Sequence, residues 1–235
     1  MITDGLYKIE DSTIDFSNDK DLWYSKTKKY WEEAETSIDG VLNGNANLHF
    51  SDVKTNCELM EGLIINKQIN TGTILDVGAG IGRIAENVLI NYFDVVDMLE
   101  QDLKYSLYAK TVLGNNSRVR NFYNSSIQSF EFENSYDVIW IQWVLENLED
   151  DDLQVFLSKC FKSLNKGGLL LIKENIVSKG CRYMTEDFSK VRSDITFKKL
   201  FDKCGLKIIK HFHQPNWPKD MLKVSIFLLS KKYED

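Results

Sequence analysis

The sequence predicts an open α/β domain, a mostly parallel sheet with helices on both faces. Across residues 73–173, short apolar runs alternate with amphipathic stretches at the spacing of βα units, which makes successive strands parallel. At the head of that run, residues 74–84 read ILDVGAGIGRI, a buried strand turning into a helix through Gly78, Gly80 and Gly82. A chain of 235 residues, 43% of them hydrophobic, suffices for one such core and is short for two.

Taken in order, residues 1–20 are polar and aperiodic and read as a loose arm. Residues 21–35 interleave Trp23, Tyr30 and Trp31 with Lys and Glu at helical spacing. SIDGVLNGNANLHF reads as a loop carrying Leu42 and Leu48, and a helix over 52–66 follows with Ser51 or Asp52 as its N-cap. Residues 21–68 thus form a helical cap and residues 69–235 the α/β core. In the core we expect strands at 73–77, 95–99, 120–123, 138–141 and 169–173. Helices at 83–90, 103–112 and 153–164 separate them, and Lys166-Gly167-Gly168 turns the chain into the fifth strand. The segment beyond Asn175, with Tyr183, Glu186 and Asp187, reads as irregular. A helix over 195–204 ends at Gly205, and strands 206–213 and 223–229 close the chain as an antiparallel hairpin, with Pro215 and Pro218 between them.

A net charge of -6 argues against a nucleic-acid binder that works by neutralising phosphate. No apolar run reaches membrane-spanning length and the N-terminus resembles no secretory signal, so a cytoplasmic or nuclear location, with no membrane partner, is expected. Cys57, Cys160, Cys181 and Cys204 are scattered and read as reduced core thiols. No metal is expected, because His211 and His213 share a strand face without a third ligand and read as a surface pair.

The glycine turn sits where open parallel sheets bind ligands, at the carboxyl end of a strand. Glu100, at the end of the next strand, has the spacing of a carboxylate that accepts from ribose hydroxyls. A dinucleotide fingerprint needs G-x-G-x-x-G, but Arg83 stands where its third glycine belongs and Gly82 comes one residue early. That spacing, with Asp76 beneath the turn to repel phosphate, favours an adenosine-bearing ligand that carries none.

ILDVGAGIGRI, Glu100 after VVDML and the strand VIWIQW resemble the nucleotide half of class I S-adenosylmethionine (SAM)-dependent methyltransferases. More narrowly, YWEEAETSIDGVL, LDVGAGIGRI, YDVIWIQWVLENL and GGLLLIKEN resemble, in order and spacing, the protein α-N-terminal methyltransferases that modify chains beginning Xaa-Pro-Lys. The resemblance implies a Rossmann-like seven-stranded sheet with the helical cap over an acceptor channel. It places Gly78, Gly80 and Arg83 on the methionine moiety of SAM, Glu100 on the ribose, Ile127 and Gln128 on the adenine, and Gln142 over the methionine end. Trp31, Leu42, Leu48 and Trp143 would line the peptide channel, Asn175 would bond the peptide backbone, and Asp187 would face the amine. Read alone, Asp187 is an ordinary solvated loop acid and Gln142 a structural hydrogen-bonding residue.

Three positions depart from the family. Asn147 stands where a histidine is usual and cannot take a proton, so the base role moves to Asp187 with help from Glu146. Met184 replaces an acid, with Glu186 near it as a substitute, and Leu222 replaces a tyrosine. The implied activity is methylation of free α-amino groups of protein N-terminal peptides by a monomer. The alternatives are a SAM-dependent small-molecule methyltransferase and a SAM-binding module with little turnover.

Overall fold

The structure, a computed structural model, describes residues 19–232. Most of the expected loose arm, residues 1–20, therefore lies outside the described residues. Helix α1 (Lys20–Glu33) starts where the Asp19 carboxylate accepts from the Leu22 N–H, and it buries Trp23 completely. At its other end Lys104 donates to the carbonyls of Trp31 and Glu32, satisfying groups that the helix leaves open.

The stretch expected to be a plain loop contains two helical turns, α2 (Ile38–Val41) and a 3₁₀ turn at Ala46–Leu48. Local polar side chains make them: the Ser37 hydroxyl takes the Gly40 N–H, and the Asp39 carboxylate takes the Ala46 N–H. Helix α3 (His49–Ile65) begins earlier than predicted, and neither Ser51 nor Asp52 is its cap. Asp52 is instead fully buried beneath the helix, because two cations from the core meet it there.

Strands β1 (Thr73–Val77), β2 (Val95–Glu100), β3 (Val119–Asn124), β4 (Tyr136–Gln142) and β5 (Leu164–Val177) form a parallel sheet in the order β3-β2-β1-β4-β5. Between β1 and β2 lie a π-wound stretch, Ala85–Leu89, and α4 (Ile90–Tyr92). Helix α5 (Leu103–Leu113) follows β2, and α6 (Asp150–Lys162) precedes β5. The segment expected to be irregular holds two short strands, β6 (Cys181–Tyr183) and β7 (Lys190–Ser193), and β7 pairs with the far end of β5. After α7 (Asp194–Lys203) come β8 (Leu206–His213) and β9 (Lys223–Lys231), with β9 antiparallel to both β5 and β8. The predicted seven strands are thus β3-β2-β1-β4-β5-β9-β8, and the β6–β7 ribbon brings the sheet to nine.

Strand β5 is longer than expected, since the Lys166-Gly167-Gly168 turn signal lies inside it. There the pairing with β4 jumps from Tyr136–Leu164 to Val138–Leu169, and Gly167 takes φ 73°, so the glycines make a bulge instead of ending the strand. Alternate residues of the central strands feed two cores: Leu75 and Val77 of β1 join one, Ile74 the other. Burial on both faces explains why these strands read as continuous apolar runs. Of the thiols, Cys160 is core as expected, but Cys181 is exposed. Strand order reverses between β1 and β4, which places the ligand crevice at their carboxyl ends.

Candidate active site

The glycine turn follows β1 directly. The N–H groups of Gly78 and Ala79 both donate to the Leu99 carbonyl, which pins the turn to the end of β2. Gly78 has φ 67°, and a Cβ there would lie 2.7 Å from Val144, so the turn packs against the loop after β4 with no room for a larger residue. One Glu100 oxygen accepts from the Gly80 N–H at 2.8 Å and the other from the Asp102 N–H at 2.8 Å. Burial raises the Glu100 carboxyl above its ordinary value. Burial also pushes Asp76 up to about 7, against the pull of the Arg83 guanidinium.

At the end of β4, Gln142 is buried and its amide donates to Asp52 and accepts from Asn56. Asp52 binds Arg83 at 2.8 Å and also pairs with Lys173 of β5, and Lys173 donates to Asn56. Lys173 and Arg83 more than offset the burial of Asp52, so its carboxyl lies below the usual range. Arg83 is therefore held by a fixed carboxylate from the cap, a link the sequence reading missed when it made Asp52 a helix cap. The available signal was a lysine inside the buried run GGLLLIKEN.

A second network lies beside the first. Trp143 follows β4 with φ 55°, and the next turn, Leu145–Asn147, is tied down from three directions. Glu174 accepts the N–H groups of Val144 and Leu145, Arg192 donates to the carbonyls of Leu145 and Leu148, and Asn175 donates to Glu146 at 3.3 Å. Burial, with Glu174 and Asp187 nearby, raises Glu146 well above the ordinary carboxylate range. Asp187 is not the solvated loop acid it resembled when read alone. It is 3% exposed, accepts from the Ser189 N–H at 3.0 Å and from the Asn43 amide at 3.3 Å, and burial raises its pKa. Asn43 in turn accepts from the Tyr30 hydroxyl. Asn43, Glu174 and Arg192 were absent from the sequence reading, and nothing local marks them.

One cavity of about 590 Å³ opens at the crevice. Its lining includes all seven residues expected to hold the cofactor, Gly78, Gly80, Arg83, Glu100, Ile127, Gln128 and Gln142, together with Trp31, Trp143 and Asn147. Helix α1 forms part of its roof through Tyr24 and Thr27 as well as Trp31, so the cap covers the expected cofactor residues too. Leu42 and Leu48 are buried and, like Asn175 and Asp187, are outside that lining. The Asp76 Oδ2, Gln128 Oε1 and the ring nitrogens of Trp31 and Trp143 are buried at the cavity without a hydrogen-bond partner among the described residues. A ligand with ammonium, adenine and hydroxyl groups suits them, because buried polar atoms are costly to leave unpaired. Two of the departures meet elsewhere: Met184 packs with Val177, Val191 and Leu222 in one small apolar cluster.

Comparison with known proteins agrees with this geometry. The profile described as AdoMet dependent proline di-methyltransferase matches residues 19–230. The chain is 38% identical to the alpha N-terminal protein methyltransferase 1 of Dictyostelium discoideum over 91% of this chain and 81% of that one. It is 34% identical to the human N-terminal Xaa-Pro-Lys N-methyltransferase 1 over 92% of this chain and 99% of that one. Among solved structures, a SAM-dependent methyltransferase from Leishmania major superposes with a TM-score of 0.83 at 32% identity, covering 88% of this chain and 83% of that one. With one cavity lined by the expected residues and a match over nearly its whole length, the chain belongs to the family of AdoMet-dependent proline di-methyltransferases.

Proposed function

We propose that this chain transfers methyl groups from SAM to the free α-amino group of protein N-termini of the Xaa-Pro-Lys type, with Asp187 assisting proton removal. The observation that carries this reading is one cavity lined by all seven residues expected to hold SAM, with Trp143, Val144 and Asn147 at its rim on a turn that the buried Glu174 carboxylate holds by the Val144 and Leu145 N–H groups. SAM, when bound, supplies a methyl group on a sulfonium whose departing thioether is neutral, so the chain has no leaving group to protonate.

Arg83, already oriented by Asp52, would present its guanidinium to the methionine carboxylate, and Asp76 would accept from the ammonium. Each Glu100 oxygen accepts one backbone N–H and keeps a lone pair for a ribose hydroxyl. Gln128 and Ile127 would hold the adenine.

The demand falls on the acceptor. A terminal amine has a pKa of about 8 and is mostly protonated at neutral pH, so it must lose a proton before its lone pair can attack. Asn147 lines the cavity and can orient the amine as donor or acceptor, but it cannot remove a proton. Asp187 can. Burial raises the Asp187 carboxyl, which brings its pKa closer to that of the amine it would deprotonate, and burial with Glu174 and Asp187 nearby raises Glu146 well above the ordinary carboxylate range. Trp143 already lies 5.7 Å from the Arg83 guanidinium, and its ring would offer the same π face to an ammonium. Glu186, which is exposed, is the acid left to meet the peptide lysine. The enzyme would work as a monomer in the cytoplasm or nucleus.

The test is methyl transfer to short Xaa-Pro-Lys peptides in which only the proline or only the lysine is replaced. Transfer that falls on replacing the proline supports the reading. SAM binding with no transfer to any of these peptides would overturn it.

A further inference from the structure

Three side chains from two separate elements converge at the edge of the sheet, away from the donor cavity. His211 and His213 alternate on one face of β8, as residues two apart on a strand must. Asp194 opens α7 and turns its carboxylate between them, with His211 Nε2 3.2 Å from one oxygen and His213 Nε2 3.0 Å from the other. The third ligand, which the strand itself lacks, is therefore supplied by the helix that precedes it.

We propose that Asp194, His211 and His213 form a zinc site that braces α7 against the closing hairpin. The three ligand atoms all lie within 4.8 Å of one another. A tetrahedral zinc with bonds of about 2.0–2.2 Å needs ligand atoms roughly 3.3 Å apart, and each imidazole already stands within 3.2 Å of its own Asp194 oxygen, so a small rotation of the carboxylate brings one oxygen to both. Two imidazoles and a carboxylate are a donor set that suits zinc and neighbouring first-row ions.

The set is also held in place. The Ser225 hydroxyl of β9 donates to Asp194, and the His211 ring stacks on Phe227 at 4.4 Å and 5°. Such orientation by surrounding groups is what fixes metal ligands in built sites. His213 is the most exposed of the three, so the fourth position faces water. Lys198, farther along α7, is the nearby charge that opposes a cation, through its repulsion of His211.

The site's role would be mechanical. The N-terminus of α7 follows β7, and the segment before β7 carries Asp187, so a metal here would anchor the far end of that segment. This proposal does not depend on the identity of the methyl acceptor.

The experiment is zinc titration of the chelator-stripped full chain, read by calorimetry and by thermal unfolding. We expect one ion bound per chain at micromolar zinc, with a rise in Tm. His213→Ala, a partly exposed position, should weaken binding roughly tenfold or more and abolish the Tm rise. Asp194→Asn should do the same. Cobalt substitution separates this site from the thiols, since an N/O site gives d–d absorption without a thiolate charge-transfer band. Absence of saturable binding, binding unchanged in both variants, or a thiolate band in the cobalt spectrum would each overturn the proposal.

Discussion

The two walls of the crevice are built differently. The proposed donor wall is a local motif: one strand, one glycine turn and one acid at the end of the next strand, each positioned by backbone contacts within the βα units. The proposed acceptor wall is assembled from distant pieces, and its Asp187 and Asn175 stand outside the cavity lining. Asp187 depends on Asn43 of the cap, the Leu145–Asn147 turn depends on Glu174 and Arg192, and Glu146 depends on Asn175. On these proposed roles, a short motif suffices to bind a ligand common to many enzymes, whereas choosing an acceptor takes groups brought together by the whole fold.

The sharpest way to break that comparison is Asp187→Asn. We expect turnover to fall by about a hundredfold or more, the usual weight of a general base, with SAM affinity nearly unchanged. Equal losses in both would mean that the two walls are not separate. Stopped turnover assays with parallel SAM binding measurements decide it.

Lys173→Met tests the joint between the walls. Lys173 is fully buried against Asp52, and removing one partner of a buried pair costs about 3–5 kcal/mol, so urea unfolding should show a loss of that size. Glu100→Ala touches only the donor wall and should weaken SAM binding by roughly 1–3 kcal/mol in calorimetry, leaving the acceptor KM unchanged.

Smaller effects belong to the acceptor wall's departures. Asn147→Ala removes a neutral hydrogen-bonding group and should raise the peptide KM by an amount worth about 0.5–1.5 kcal/mol. The smallest concerns Glu146→Gln. Because folding raises the Glu146 pKa, its protonated form stabilises the fold, and that contribution is lost as pH rises through the raised value. Thermal unfolding should therefore show wild-type stability falling more steeply than that of the variant as pH rises above the ordinary carboxylate range.

The same contrast explains what could be read from the sequence. Gly78, Gly80, Arg83 and Glu100 lie within one βαβ unit, Ile127 and Gln128 follow β3 and Gln142 ends β4, so spacing together with the family resemblance located all seven at one cavity. Asp52 was misread because a carboxylate near a helix start has a local use as a cap, and only the fold reveals Lys173 and Arg83 above it. Leu42 and Leu48 were expected in the channel, yet their apolar side chains are buried outside the cavity lining. Asp194 is one helix away from His211 and His213 in sequence and touches both in space. The β6–β7 ribbon escaped notice because its strands are short, with Gly180 before them and Glu186 and Asp187 between.

The most direct test of the proposed activity is to locate the transferred methyl group by fragment mass spectrometry after reaction with a Xaa-Pro-Lys peptide and its N-acetylated copy. Labelled methyl on the α-nitrogen of the free peptide, with none on the acetylated copy, is the predicted result. Methyl on the lysine side chain, or equal labelling of the acetylated copy, would contradict it.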